Sequence, residues 1–500
     1  MELLPLLDPN SAEPLYGQLY RHIRAEIEAG RLAPGSRLPS VRKLAAHLGV
    51  SRTPVEDAYQ QLLAEGYAES KPRSGLTVRA YEPDFGKARH PASRSGAVLP
   101  DRGSERQRPD RTLPAPGSPV FSASPEAAGP SGTIDFSYGD VDLSHFPFAL
   151  WKKLLGTCFL PEHRDLFRYG DPLGEIGFRR ALADYAYRAR AVLCPPERMV
   201  VGAGTHHSME QLCRLLRETP YGPGATAFAA EQAMSDGLAA IMRQHGYRLA
   251  PLRLEEDGIC IEDLYESGAT IVYTTPSHQF PYGMVMSIGK RRRLLKWAAD
   301  VGGLIVEDDY DGEFRYAGRP IPSLQGLDAA ASFVVYMGTF SRALAPAFRL
   351  SYTALPPALA ESAQAALHPF DRLASPLHQR TLELFMTNGH MQRHIRKMRS
   401  VYQRKSAALL AAIKDGLEPH FRVEGGSAGL HVLLEPDDGR SEASLMESAL
   451  DAGVRVYPTS VYRTESRTDE PAAVLLGFGG LDEQHIQEGV HRLAHAWNRG

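Results

Sequence analysis

The chain has 500 residues, 43% hydrophobic, 23% charged and 8% aromatic. That length predicts about three domain-sized units, and the composition excludes a disordered chain, a collagen-like repeat and a disulfide scaffold. With 56 Lys+Arg against 59 Asp+Glu the formal charge is -3, so the whole chain is no polyanion binder and any nucleic-acid surface must be local. The four cysteines, Cys158, Cys194, Cys213 and Cys260, form no C-x-x-C pair. This argues against a zinc cluster or other metal site and for a reducing, cytoplasmic setting. No apolar stretch approaches the roughly 18 residues a membrane span needs, so no membrane partner is expected.

In chain order, Leu15, Leu19, Ile23 and Ile27 recur every four residues and predict a helix entered at Pro14 and closed near Gly30. Ser40 then reads as the N-cap of a short helix with Val41, Leu44, Ala45 and Leu48 inward, ended by Gly49. After a tight turn, Thr53-Pro54-Val55-Glu56 reads as a capping box that opens a third helix, with Val55, Tyr59, Leu62 and Leu63 buried. Helix, short helix, Gly turn and helix make a helix-turn-helix, and Ala68–Ser70 and Leu76–Val78, joined around Arg73-Ser74-Gly75, predict a two-stranded wing. Such a unit places the start of its second helix in the major groove of double-stranded DNA. The residues suited to base edges and phosphates are Ser40, Arg42, Lys43, Ser51, Arg52 and Thr53, with Arg73 on the wing. Residues 12 to 79 carry ten Lys/Arg and seven Asp/Glu, about +3 in a negative protein, the correct local sign for an operator. A packing or dimerisation unit with a solvated arginine face is the competing reading of the same pattern.

Residues 81–132 contain 9 Pro, 6 Gly and 7 Ser in 52 positions, the composition of a linker with roughly 40 Å of root-mean-square reach. Beyond it, apolar runs at Met199–Val201, Thr226–Phe228, Ala269–Tyr273, Leu304–Val306 and Phe333–Tyr336 alternate with helical stretches. Runs without in-out alternation predict a mostly parallel sheet covered by helices on both faces. From about Arg399 a helix over Val401–Ile413 and a strand near Leu430–Leu434 suggest a smaller α+β lobe. The predicted division is 12–80, 81–132 and 133–500, with the small lobe at about 399–500.

The string Pro14-Leu15-Tyr16 … Gly30-Arg31-Leu32 … Leu38-Pro39-Ser40-x-Arg42-x-Leu44-Ala45 … Leu48-Gly49-Val50-Ser51-Arg52 … Ala64-Glu65-Gly66-Tyr67 resembles the winged helix of GntR-type regulators. Four later motifs occur in order: Val201-Gly202-Ala203-Gly204-Thr205-His206, Tyr273-Thr274-Thr275-Pro276-Ser277-His278-Gln279-Phe280-Pro281, Val306-Glu307-Asp308-Asp309-Tyr310-Asp311, and Gly338-Thr339-Phe340-Ser341-Arg342 with Arg349. With Phe167-Arg168-Tyr169-Gly170 they resemble MocR-type regulators, which join a GntR winged helix to a domain similar to fold-type I, pyridoxal-phosphate-dependent aminotransferases.

In such a site a Gly-Thr turn at a helix start serves a phosphate, making Gly204, Thr205 and His206 candidates. Asp308 has the place that holds a pyridinium nitrogen, and Tyr310 can donate to the ring phenolate. The resemblance also implies Thr339 and Ser341 as phosphate hydroxyls, Arg349 as its cation, and Tyr169 reaching it from the partner subunit of a homodimer. Turn chemistry, helix capping and inherited scaffolding are the structural alternatives for these residues.

Arg342 departs from the family. The resemblance places the Schiff-base lysine there, and a guanidinium that stays protonated cannot supply the neutral amine. No lysine occurs between Trp297 and Arg396. Glu231-Gln232-Ala233-Met234-Ser235 also lacks the aromatic expected over the ring, and Ala472–Phe478 carries no arginine for a substrate carboxylate. The expectation is a DNA-binding regulator without catalytic residues, whose second domain senses a small molecule or dimerises. Pyridoxal 5'-phosphate is bound there without a covalent link, or not at all. An aminotransferase or a pyridoxal-phosphate-binding regulator using a distant lysine, and a ligand-free DNA-binding dimer, remain as alternatives.

Overall fold

The computed structural model describes residues 7, 15–64, 67–71, 75–78, 132–316, 322–328, 330–367, 373–464 and 472–498. The expected linker, apart from Gly132, and Arg73 lie outside the described residues.

Three helices, α1 (Leu15–Glu28), α2 (Val41–Leu48) and α3 (Arg52–Ala64), and the antiparallel hairpin β1 (Ala68–Lys71) and β2 (Gly75–Val78) form the N-terminal unit. Its core is the predicted stripe: Leu19, Ile23, Ile27, Leu44, Val55, Tyr59 and Leu62 are buried. Ser40 accepts from the Lys43 N–H at 3.3 Å, and Gly49 closes α2 at φ +65°, a left-handed conformation that glycine adopts without a Cβ penalty. The capping-box expectation at Thr53 fails, because α3 already begins at Arg52. Pro54 is tolerated as the third residue of α3 because N–H groups of the first turn have no intrahelical partner.

The large unit holds a seven-stranded sheet. Its strands are β3 (Met199–Gly202), β4 (Phe228–Glu231), β5 (Leu249–Leu252), β6 (Ile271–Thr274), β7 (Leu304–Asp309), β8 (Val334–Thr339) and β9 (Ser351–Ala354), in the order β3-β9-β8-β7-β6-β4-β5. All pairings are parallel except those of β9, which runs antiparallel to both neighbours. Nearly every strand residue is buried, as two helix-covered faces require. Two strands start two residues later than their apolar runs, at Phe228 and Ile271. Thr226 is one reason: its hydroxyl accepts from the Thr270 N–H before the ladder begins.

The small lobe pairs β10 (Phe421–Gly425), β11 (His431–Pro436), β12 (Tyr457–Pro458) and β13 (Val474–Gly477) in the antiparallel order β10-β11-β13-β12. Its long helix starts at His390 rather than Val401 and runs to Gly416. The segment that follows the linker also packs here: Ile134–Asp135 pairs parallel with Val454–Arg455. Tyr138 is thereby carried to the mouth of the crevice between sheet and lobe, on the side where the parallel strands end, the usual ligand position of open α/β sheets.

Candidate functional site

On the N-terminal unit, Ser40, Arg42, Lys43, Ser51, Arg52 and Thr53 are all exposed and cluster at the starts of α2 and α3. Tyr59 fixes the approach of these helices by donating to the Pro39 carbonyl at 2.8 Å. Exposed donors at two helix starts suit phosphate and base edges together.

In the crevice, β3 leads through Gly204 into helix Thr205–Leu216. Gly204 has φ +94° and ψ 165°, a region essentially closed to side-chain-bearing residues, and a Cβ there would run into the Arg349 guanidinium. Arg349 itself adopts φ +48° at the end of the turn Pro346–Phe348. His206 is held below its ordinary pKa by burial and by the Arg349 charge. Thr339 and Ser341 lie together, their hydroxyl oxygens 3.1 Å apart. The Gly204 N–H is committed to Ser351 Oγ at 3.0 Å, and Ser208 Oγ sits 2.7 Å from the same oxygen. The anion-facing capacity of this turn therefore falls to the first helical N–H groups, Arg349 and the two hydroxyls.

Strand β7 ends in three consecutive acids whose alternation separates their roles. Glu307 accepts from the N–H groups of Leu324 and Gln325 at 2.7 and 2.9 Å. Asp309 pairs with buried Arg190 at 2.5 Å and accepts from Tyr336 at 2.7 Å. Those two serve the scaffold. Asp308, on the opposite face, accepts from Tyr273 at 2.8 Å through Oδ2, while Oδ1 is buried without a partner. Burial pushes its carboxyl up to about 7. One oxygen of Asp309 also lacks a hydrogen-bond partner, but that carboxylate has a cation against it. Among the described residues Asp308 has none, so a protonated ring nitrogen fits it chemically.

Beyond Asp308, His278 Nδ1 lies 2.8 Å from Asp311 Oδ2 and 2.9 Å from the Tyr310 hydroxyl. With the Nδ1 proton directed at the carboxylate, Tyr310 keeps its own proton for another acceptor. Arg342 closes this end. Its guanidinium lies 3.8 Å over the Tyr138 ring and donates to the Tyr138 carbonyl. His431 accepts nothing at Nδ1 and reaches the Pro281 carbonyl through Nε2 at 2.7 Å. Burial, His278 and Arg342 together push its pKa down to about 3, which keeps it neutral. Tyr169 lies apart on the surface, 78% exposed.

Comparison with known proteins matches residues 15–78 to the gntR family of bacterial regulatory proteins and residues 131–493 to aminotransferase class I and II. Over 498 residues the chain is 38% identical to YdeL of Bacillus subtilis, an uncharacterized HTH-type transcriptional regulator, covering 99% of this chain and all of that one. It is 33% identical to the probable rhizopine catabolism regulatory protein MocR of Rhizobium meliloti, over 98% of this chain and 95% of that protein. The chain belongs to the MocR-type transcriptional regulators. The aminotransferase fold of this regulator is matched by the multiple substrate aminotransferase of Thermococcus profundus, with a TM-score of 0.66 and 25% identity, over 74% of this chain and 92% of that one.

Sequence reasoning missed Tyr138, Asp311, Ser351 and His431 as parts of this MocR-type crevice. Asp311 and His278 stood inside quoted motifs, whereas Tyr138 and His431 come from elements about 300 residues apart and carry no local pattern. Among the described residues no helix is long and apolar enough to cross a membrane. Among the described residues one cluster of potential metal ligands, Glu255, Cys260 and Glu262, has Lys290 on Glu255 at 2.6 Å and Arg293 on Glu262.

Proposed function

We propose that this transcriptional regulator works in the cytoplasm as a homodimer, divided as 12–80 for operator binding, 81–132 as linker and 133–500 for effector binding and dimerisation. Arg42, Lys43, Arg52 and Arg73 contact phosphates or guanines, with Ser40, Ser51 and Thr53 beside them. The large domain binds pyridoxal 5'-phosphate or a close relative without covalent attachment and performs no turnover. When bound, that cofactor brings a phosphate, a basic ring nitrogen and a carbonyl. Here Thr205, His206, Thr339, Ser341 and Arg349 hold the phosphate, Asp308 the ring nitrogen, and Tyr310 the phenolate. Gly204 supplies room rather than a hydrogen bond.

The observation that carries the reading is a built crevice whose amine position holds Arg342. A lysine from elsewhere finds no support: the buried lysines among the described residues are Lys290 and Lys405. Lys290 is paired with Glu255 and Asp257 at 2.6 Å, and Lys405 with Asp142 at 2.7 Å. A second subunit is supported by Phe148, Phe159 and Phe167, which are 63%, 59% and 56% exposed, the last two in ring contact. Apolar area of that kind commonly marks an interface. Tyr169 reaches the phosphate of the partner's crevice, and an effector there alters the relative placement of the two winged helices.

A mobility-shift titration of an operator fragment, with and without pyridoxal phosphate, tests the reading. Arg52→Ala is expected to weaken specific binding by about 1 to 3 kcal/mol. Unchanged affinity at fixed salt removes Arg52 from the reading surface. Residues 133–500 alone should sediment as a dimer; a stable monomer at micromolar concentration defeats the shared crevice.

A further inference from the structure

Arg342 is the cation at this end of the crevice. Among the described residues it donates to one acceptor, the Tyr138 carbonyl, and no carboxylate salt-bridges it. Asp311 and Asp140 are near enough to act on it electrostatically, but neither forms a salt bridge with it, and Asp311 Oδ2 is held at His278. A guanidinium carries five N–H donors in a planar fork, and a half-buried one with a single acceptor is matched by a carboxylate. A second cation, Arg349, stands with Gly204 and His206. The acid Asp308, with its unpartnered Oδ1, belongs to the same crevice. The site therefore asks for two anionic groups and one protonated nitrogen in a single small ligand.

The strand that faces the crevice from the small lobe supplies no competing cation. Leu475 of β13 is fully buried and packs in one cluster with Phe280, Leu433, Tyr138 and Tyr310. An amino-acid carboxylate presented from that side meets hydrocarbon. The carboxylate that Arg342 suits belongs to the ring ligand itself.

We propose that the effector is a pyridine 5'-phosphate bearing a carboxylate on the ring carbon where pyridoxal bears its aldehyde. Arg342 takes that carboxylate in place of the imine a lysine would form, Asp308 holds the ring N–H, and Arg349 with Thr339 and Ser341 holds the phosphate. The proposal rests on the reading of this crevice as a non-covalent site of the pyridoxal-phosphate type. An aminomethyl group at the same carbon is protonated at neutral pH and is repelled by the guanidinium. The ranking is therefore carboxylate, then aldehyde, then aminomethyl.

The test is calorimetric titration of the full chain with three probes, 4-pyridoxic acid 5'-phosphate, pyridoxal 5'-phosphate and pyridoxamine 5'-phosphate. The acid is expected to bind at least ten-fold more tightly than the aldehyde, and the amine most weakly. Arg342→Met should erase the advantage of the acid. Arg342→Lys, whose amine can lose its proton where a guanidinium cannot, should reverse the first two by condensing with the aldehyde to an imine with loss of water, seen as a mass increase fixed by borohydride reduction. Equal affinities for the three probes on the unaltered chain overturn the proposal and leave the pyridine-phosphate reading standing. Binding of none at millimolar concentration overturns both. The ranking on the unaltered chain decides even if Arg342→Met fails to fold.

Discussion

The two ends of the crevice are built by different means. At the Gly204 end the backbone does the shaping: Gly204 occupies a region barred to other residues, Arg349 takes a left-handed conformation, and a helix starts at Thr205. At the Arg342 end one side chain, stacked on Tyr138, puts a guanidinium where the proposed reading expects an amine. Backbone shape of the first kind costs about 1 to 3 kcal/mol per residue and persists only where surrounding structure enforces it. A side-chain exchange of the second kind carries no such conformational cost. The chemistry of a site can therefore change while its anion cradle stays intact, and the fold alone does not reveal which chemistry is present.

The largest expected effect comes from removing the cradle's cation. Arg349→Ala deletes charge-assisted hydrogen bonds worth about 1.5 to 3 kcal/mol, so affinity for pyridoxal phosphate should fall roughly 10- to 150-fold. Affinity for pyridoxal, which has no phosphate, should hardly change. Equal losses for both ligands in a calorimetric titration show that the two ends are not separable. Gly204→Ala attacks the same end through the backbone. Its Cβ displaces Arg349 and the φ is strained, so a thermal melt should show a loss of about 1 to 3 kcal/mol, together with weaker binding of the phosphate-bearing ligand alone.

What the sequence disclosed divides along the same line. The winged helix was legible almost to the residue, because Leu19, Ile23, Ile27 and the Ser40 and Gly49 caps are local patterns with local causes. The start of α3 was misplaced because a proline suits any position of a first helical turn, not only the first. The β7 acids were legible as a motif but not as roles. That Glu307 and Asp309 serve the scaffold while Asp308 keeps an oxygen unpaired follows from strand alternation against partners as distant as Arg190 and Leu324. The Tyr138 platform under Arg342 depends on a strand pairing between Ile134 and Val454, and no nearby residue predicts it.

The smallest effect concerns Asp308 as a destabilising element of the unliganded protein. Its folded-state pKa is pushed up to about 7 from an ordinary 3.8, chiefly by burial. Between these values the unfolded chain ionises this group while the folded chain keeps it protonated. The unfolded state thus binds fewer protons, and stability falls as pH rises through that window. Well below pH 3.8 the group is protonated in both states and contributes no loss; well above pH 7 the loss is complete. Asp308→Asn keeps an acceptor for Tyr273 and removes the ionisation. At pH 8 the variant without ligand should therefore melt at a higher temperature, and at pH 3 the two proteins should melt nearly alike. Glu307 and Glu313 are also pushed up to about 7, but both chains share them and they cancel in the difference. Added pyridoxal phosphate should reverse the order at pH 8, since its protonated ring nitrogen gives the Asp308 carboxylate a partner that asparagine cannot use as well. A variant that melts lower than the unaltered chain at pH 8 without ligand shows that Asp308 already has its partner within the protein, and that the ring-nitrogen assignment is wrong.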